Sequence, residues 1–547
     1  MLPAMPSSSQ GSVARVLGCT CVALSLLGAG PVRARPRLGV VVVFDQLRPV
    51  EVDRYAPFFG AGGFGGLDAA RYDARYSYAS TETAPGHATL LTGANPAVHG
   101  IITNQWFAGG KRQYVVEDAR YPVFGAPEGV GRSPLQLVAP TLGDTMKAES
   151  GGRARVVTVS LKDRAAILSG GHAADLAIWY DVDQGRFVTG RYWASQTPAW
   201  LETLGAELPR RTLAAGPWNP LPVPAELAWL VPPDDRPGEG TAKGLTRTFP
   251  HDLRDLAPDV QRGLYRMQPG AIDDVFTLAL AALDQLKLGG DDEPDLLVVS
   301  VSTTDYIGHN FGPDSLEQLD MVRRADAALR SFLRGIEARV GRRGYALVVT
   351  ADHGAPPLPA PVEGTTLPGG IVTTAAVVEA AERGAQAGAP KGAAKKKRVL
   401  AFLAPQLFID DADLSAADAE RMLAEVRAHV TAVPGIARVY DMTRPDDVDP
   451  WSSSMTEAAF PGRHAPIFVR QLPRYVILEN DEKRGTDHGS PYVYDQRVPL
   501  WVAGPGVRPG RYAQSVDARD AVSSLAFLLG VPPPDMASGH PVSAVGD

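Results

Sequence analysis

Four apolar runs set the rhythm of the chain: residues 39–44 (Gly-Val-Val-Val-Val-Phe), 155–160 (Arg-Val-Val-Thr-Val-Ser), 296–301 (Leu-Leu-Val-Val-Ser-Val) and 345–350 (Tyr-Ala-Leu-Val-Val-Thr). They are short and rich in β-branched residues, and they do not alternate apolar with polar. That is the pattern of strands covered on both faces. Between the runs the period changes. Ala271–Leu288 repeats its apolar positions at helical spacing and stops at Gly289-Gly290, and Ser315 with Gln318 reads as a capping box opening the next helix. Strands alternating with helices predict an α/β fold built on a parallel sheet. Each run is followed within a few residues by polar side chains: Asp45; Lys162 and Arg164; Asp305 and His309; Asp352 and His353. Ligands of open α/β sheets bind beyond the carboxyl ends of the strands. These four clusters, remote in sequence, are therefore expected to meet there.

Two stretches break the rhythm. Residues 165–265 carry Trp179, Trp193, Trp200, Trp218 and Trp229 among many prolines and long irregular connections. They read as a cap inserted in the sheet domain over one side of the site. Residues 356–398 form a second interruption, and within it 384–398 is of low complexity and ends Lys395-Lys396-Lys397-Arg398, which reads as a solvated, mobile loop. Residues 399–440 read as strand, capped helix (Ser415 with Asp418) and strand, a small subdomain. Strands return at 474–479 and 499–503, with Gly485-Thr-Asp-His488-Gly between them.

Composition narrows the setting. Residues 1–34 have the form of a secretory leader: Arg15, an apolar run from Val16 to Gly30, then Val32-Arg33-Ala34 as a cleavage site. This expects a periplasmic or secreted product, residues 35–547, with no stable membrane insertion. Both cysteines, Cys19 and Cys21, fall inside the leader. The processed chain could form no disulfide, and any metal would rest on imidazole and carboxylate. The 54 Lys and Arg, two of them in the leader, face 61 Asp and Glu, so the net charge of −7 becomes −9 on processing. A binder of nucleic acid usually carries a basic excess.

The densest chemistry lies in residues 80–106. Thr83 precedes Pro85, and Pro favours the first turn of a helix, so 85–92 reads as a short helix stopped by Gly93. A hydroxyl at such a start faces unpaired N–H groups and the positive end of the dipole. An ordinary N-cap threonine is the alternative. Thr83-Ala-Pro-Gly-His87, followed by Gly100-Ile-x-x-Asn104-x-Trp106, resembles the alkaline phosphatase superfamily, and within it the secreted PafA-type phosphatases related to type I phosphodiesterases and nucleotide pyrophosphatases. The resemblance implies a central, mostly parallel sheet flanked by helices. It implies that Thr83 attacks phosphorus and that Asn104 holds a phosphoryl oxygen.

The same resemblance divides six candidate ligands between two zinc ions, with Asp305, His309 and His488 on one and Asp45, Asp352 and His353 on the other, where Thr83 would also bind. Three carboxylates and three imidazoles suit a two-metal hydrolytic site. Leu161-Lys162-Asp163-Arg164 resembles the Lys-x-Arg pair of the monoesterases in this group, which places both cations on the substrate phosphate; a surface charge cluster is the other reading. The implied reaction is hydrolysis of small phosphate monoesters by a monomer through a phosphothreonine. A phosphodiesterase or phosphonate hydrolase on the same scaffold is the nearest rival, and a secreted binding protein without turnover a more distant one. His87, His99, His172, His251, His429, His464 and His540 lack a partner pattern and read as structural or surface residues.

Overall fold

The computed structural model describes residues 35–242, 244–359, 367–393, 396–445, 449–479 and 485–545. The leader read at 1–34 lies outside them.

Nine strands form the central sheet: β1 (Leu38–Phe44), β2 (Ala70–Arg75), β3 (Val156–Ser160), β4 (Leu176–Asp181), β5 (Arg186–Val188), β6 (Asp295–Val301), β7 (Tyr345–Thr350), β8 (Arg497–Ala503) and β9 (Gly510–Asp517). Their order is β9-β2-β8-β7-β1-β6-β3-β4-β5. The five strands from β7 to β4 run parallel, while β8 and the edge strand β5 run against them. Every residue of β1, β6 and β7 is buried. Each fully buried Val or Leu there is worth about 1.5–3 kcal/mol of hydrophobic stabilisation, so the sheet is a rigid platform.

The helices used below are α1 (Thr83–Thr92), α2 (Asp163–Gly170), α3 (Gly270–Leu286), α4 (Thr303–Phe311), α5 (Leu316–Val340), α6 (Thr374–Gly388) and α7 (Ala416–Thr431). The apolar period seen at 271–288 is α3, and Ser315 caps α5 by accepting from Gln318 N at 3.0 Å.

Register explains why the polar clusters converge. Val43 lies level with Ser300 on one side and Thr350 on the other, and Ser300 is level with Ser160. Four strands thus end on one line. The residues that leave them, Asp45, Lys162, Asp305 and Asp352, emerge along one edge.

Two readings of the interruptions are corrected. A second, antiparallel sheet orders 399–403, 406–409, 467–471 and 436–441. Strand 370–373 pairs in parallel with 475–478. Helices α6 and α7 pack on this unit around Val377, Leu407, Met422, Val426 and Ile467. The subdomain is therefore larger than 399–440. Residues 384–388 are not loop but the last turn of α6: Ala381, Gly384, Ala385 and Gly388 make a flat face of small residues, and the backbone of Glu425 and Val426 in α7 lies hard against it. At the end of the basic run, Arg398 is buried, donates to Asp410 O at 3.1 Å and pairs with Asp413. At 384–388 low complexity records close helix packing, while residues 394 and 395 lie outside the described residues.

Residues 165–265, read as a cap, begin by extending the central sheet as β4 and β5. Residues 179–183 line a pocket beside Lys162 and Arg164, while the main cavity at the strand ends draws its described lining from elsewhere. Phe402, Leu403, Pro405, Gln471 and Ile477 of the second unit stand opposite Thr83, Asn104 and Lys162.

Candidate active site

Three helices begin at this cavity. Thr83 is the first residue of α1, Lys162 is the residue before α2, and Asp305 lies in the first turn of α4. Helix α1 thus starts two residues earlier than its proline suggested, with Glu82 rather than Thr83 at the cap position. Each helix start carries the positive end of its dipole, so three together favour a multiply charged anion. Gly86 lets α1 approach so closely: a Cβ there would meet Asp352 O at 2.3 Å.

Thr83 is 1% exposed, and its Oγ1 accepts from Lys162 Nζ at 3.1 Å. The same ammonium lies 2.6 Å from Asp305 Oδ2 and 2.7 Å from Asp45 Oδ2. Burial works against the charge on Lys162, but Asp305 and Asp45 outweigh it and hold its pKa above that of an ordinary lysine. Asn104 Oδ1 accepts from Ala84 N at 3.0 Å, which leaves its amide nitrogen as the donor beside Thr83. Arg164 lines the same cavity, of about 360 Å³.

The six candidate ligands gather as two triads, Asp305–His309–His488 and Asp45–Asp352–His353, with ligand atoms in each within 4.8 Å of one another. All three imidazoles are held in the same way. Nδ1 of His309 meets Thr486 O at 3.0 Å, that of His488 meets Thr81 O at 2.7 Å, and that of His353 meets Gly354 O at 3.0 Å. A carbonyl only accepts, so Nδ1 carries the proton and Nε2 turns to the triad, the usual orientation of a metal-binding histidine.

A metal ion fits this donor set. His353 Nε2 and Asp45 Oδ1 face each other at 3.3 Å, buried, and neither has a hydrogen-bond partner. Two acceptors in that position call for a cation between them. The carboxylates draw positive charge into the site. Burial opposes ionisation of His353, yet Asp352 and Asp45 lift it to about 10; burial opposes that of His309, yet Asp305 lifts it to about 9. Burial and the neighbouring His353 push His488 the other way. A bound cation would meet the same demand and leave the Nε2 atoms of His353 and His309 as acceptors.

The model for the type I phosphodiesterase / nucleotide pyrophosphatase family matches residues 40–491, a span holding Thr83, Asn104, Lys162, Arg164 and all six candidate ligands. The chain belongs to that family. It is 31% identical to alkaline phosphatase PafA of Elizabethkingia meningoseptica, over 96% of this chain and 97% of the relative. It is 30% identical to alkaline phosphatase PhoK of a Sphingomonas species, over 92% and 90% respectively. The crystal structure of wild-type alkaline phosphatase PafA superimposes with a TM-score of 0.84 at 29% identity, covering 93% of this chain and 99% of that one.

In this member of the type I phosphodiesterase family, two site residues escaped the sequence reading. His87, read as structural or surface, is fully buried directly behind Thr83. Its Nδ1 meets Thr83 O at 2.9 Å and stands 3.2 Å from Asp352 Oδ2, and its Nε2 meets Ser300 Oγ at 2.9 Å. The Ala-Pro-Gly-His spacing, four residues along α1, was the available signal. His87→Ala is expected to cost roughly 2–4 kcal/mol, for a cavity and an orphaned buried hydroxyl, and to lower turnover with it. Denaturant unfolding read beside kcat checks this. The second residue is Gln46, buried just past the end of β1. Of the other histidines, His99 bonds Thr89 Oγ1 at 3.0 Å and His251 meets Glu317 at 3.2 Å, both buried away from the triads.

Proposed function

We propose that this protein is a metal-dependent alkaline phosphatase that hydrolyses small phosphate monoesters through a covalent intermediate on Thr83. One observation carries the reading: a buried threonine hydroxyl at a helix start lies 3.1 Å from a lysine ammonium that itself spans two ligand triads. The relatives named as alkaline phosphatases, aligned over nearly the whole chain, support it.

Two divalent ions, zinc by the donor chemistry, would be held by the triads and would supply the Lewis acidity that favours an ionised Thr83 and neutralises phosphoryl charge. The chain's own groups do the rest. Thr83 Oγ1 attacks phosphorus, the bond to the leaving oxygen breaks, and the phosphoryl group rests on Thr83. Water then attacks the same phosphorus, releasing inorganic phosphate and returning Oγ1. Any phosphoryl group bonded to Oγ1 lies within reach of Lys162 Nζ. Asn104 donates to one of its oxygens and Arg164 offers a second cation. The wall formed by Phe402, Leu403, Pro405 and Ile477 receives the leaving group. The secretory leader read at residues 1–34 supports action outside the cytoplasm. Among the described residues no helix is long and apolar enough to cross a membrane.

The test is turnover of an aryl phosphate monoester and of a diester with the same leaving group, before and after dialysis against a chelator. The zinc-loaded enzyme is expected to favour the monoester by several orders of magnitude, to lose both activities on chelation and to regain them with zinc. Diester turnover equal to or above monoester turnover would overturn the monoesterase reading.

A further inference from the structure

We infer that Gln46 is a positioning residue that ties the two triads together, and that Gly308 is there to admit it. This rests on the metal assignment proposed above.

Gln46 follows Asp45 at the end of β1. It is fully buried, and its φ of 68° lies in the left-handed region that a non-glycine residue rarely adopts. Such backbone strain costs on the order of 1–3 kcal/mol and persists where surrounding contacts enforce it. The contacts here are specific. The backbone N–H donates to Asp352 Oδ1 at 3.2 Å, and the side-chain Nε2 donates to Asp305 Oδ1 at 3.1 Å. Asp352 belongs to one triad and Asp305 to the other. One strained residue therefore orients a carboxylate in each. The amide Oε1 is buried with no hydrogen-bond partner, so the side chain is kept in place for its nitrogen end alone. Position 308, on α4 between Asp305 and His309, leaves no alternative: a Cβ there would sit 1.7 Å from that Oε1.

A carboxylate that accepts a bond on one side presents its remaining lone pairs in a fixed direction. Partners of this kind typically change metal affinity by about 10- to 100-fold. Gln46 donates through its side chain only to Asp305, so its removal should act on the Asp305–His309–His488 triad. The backbone bond to Asp352 survives any substitution except proline.

Gln46→Gly separates positioning from structure. Glycine accepts the left-handed conformation, which offsets part of what the lost side chain contributes, so the metal-free variant should stay folded with a cooperative melting transition. Zinc titration against a chromophoric chelator should nonetheless find one of two sites weakened by at least about tenfold. Gly308→Ala should give the same single-site loss with Gln46 intact, by displacing its amide. Two zinc ions bound by Gln46→Gly with unchanged affinities would overturn the inference while leaving the proposed function standing. Failure of the unmodified protein to bind two ions would overturn the metal assignment and this inference with it.

Discussion

Thr83→Ala is expected to lower kcat/KM for an aryl phosphate monoester by roughly 10^4- to 10^6-fold, the scale of removing a covalent nucleophile, while the protein remains folded and binds metal. The expectation follows from place. Thr83 is buried, opens α1 and meets the lysine that touches a carboxylate of each triad. Of the described hydroxyls lining this cavity, on Thr83, Thr103 and Thr374, Thr83 is the one bonded to that ammonium. Thr83→Ser keeps an attacking oxygen and should retain most of the rate. Acid quench during turnover followed by peptide mass spectrometry should place a phosphoryl group on the peptide bearing Thr83, and on none in Thr83→Ala. Near-normal turnover by Thr83→Ala would sink the covalent route and leave direct attack by water.

The second large effect concerns Lys162. A monoester presents two negative charges on its non-bridging oxygens and a diester one, so a cation aimed at those oxygens discriminates between them. Lys162 is 3% exposed and the charges of Asp305 and Asp45 keep it protonated. Its loss removes one buried positive charge from beside Thr83. Lys162→Ala should lower kcat/KM for the monoester by about 10^2- to 10^3-fold, comparable to deleting one preorganised donor. The diester should fall much less, so the preference narrows. Because the family model is named for diesterases as well as for pyrophosphatases, that narrowing is what assigns the branch. An equal fall for both substrates would mean that Lys162 organises the triads rather than reading the charge of the substrate.

Much of this was legible before any coordinates, and for a physical reason. A strand buried on both faces must be apolar along its length, so β1, β3, β6 and β7 announce themselves, and whatever polar residue follows such a strand stands out. Asp45, Lys162, Asp305 and Asp352 were found that way. His87 was not, because its partners Ser300 and Asp352 are hundreds of residues away and neither is marked as a histidine partner by spacing. Gln46 was missed because an amide carries no charge and its strain lies in φ, which composition does not record. The wall around Phe402 and Leu403 escaped the sequence for a related reason. Tryptophan and proline between 165 and 265 signal irregular chain but not where it packs. The strand 399–403 that supplies Phe402 and Leu403 is short, and only pairing with 406–409 settles its position.

The three imidazoles lean on main-chain oxygens, those of Thr81, Gly354 and Thr486. A side-chain anchor can be deleted by one codon change, but a carbonyl is supplied by whatever residue stands there. The aim of the imidazoles is thereby buffered against mutation. Substitutions at positions 81 and 486 act on the rings only through the loops that carry those carbonyls, whose own threonine hydroxyls bond to Ser490 O and to Pro356 O and Pro357 O. A designer seeking a different ion could therefore exchange the ligands themselves and inherit ring supports that need no redesign.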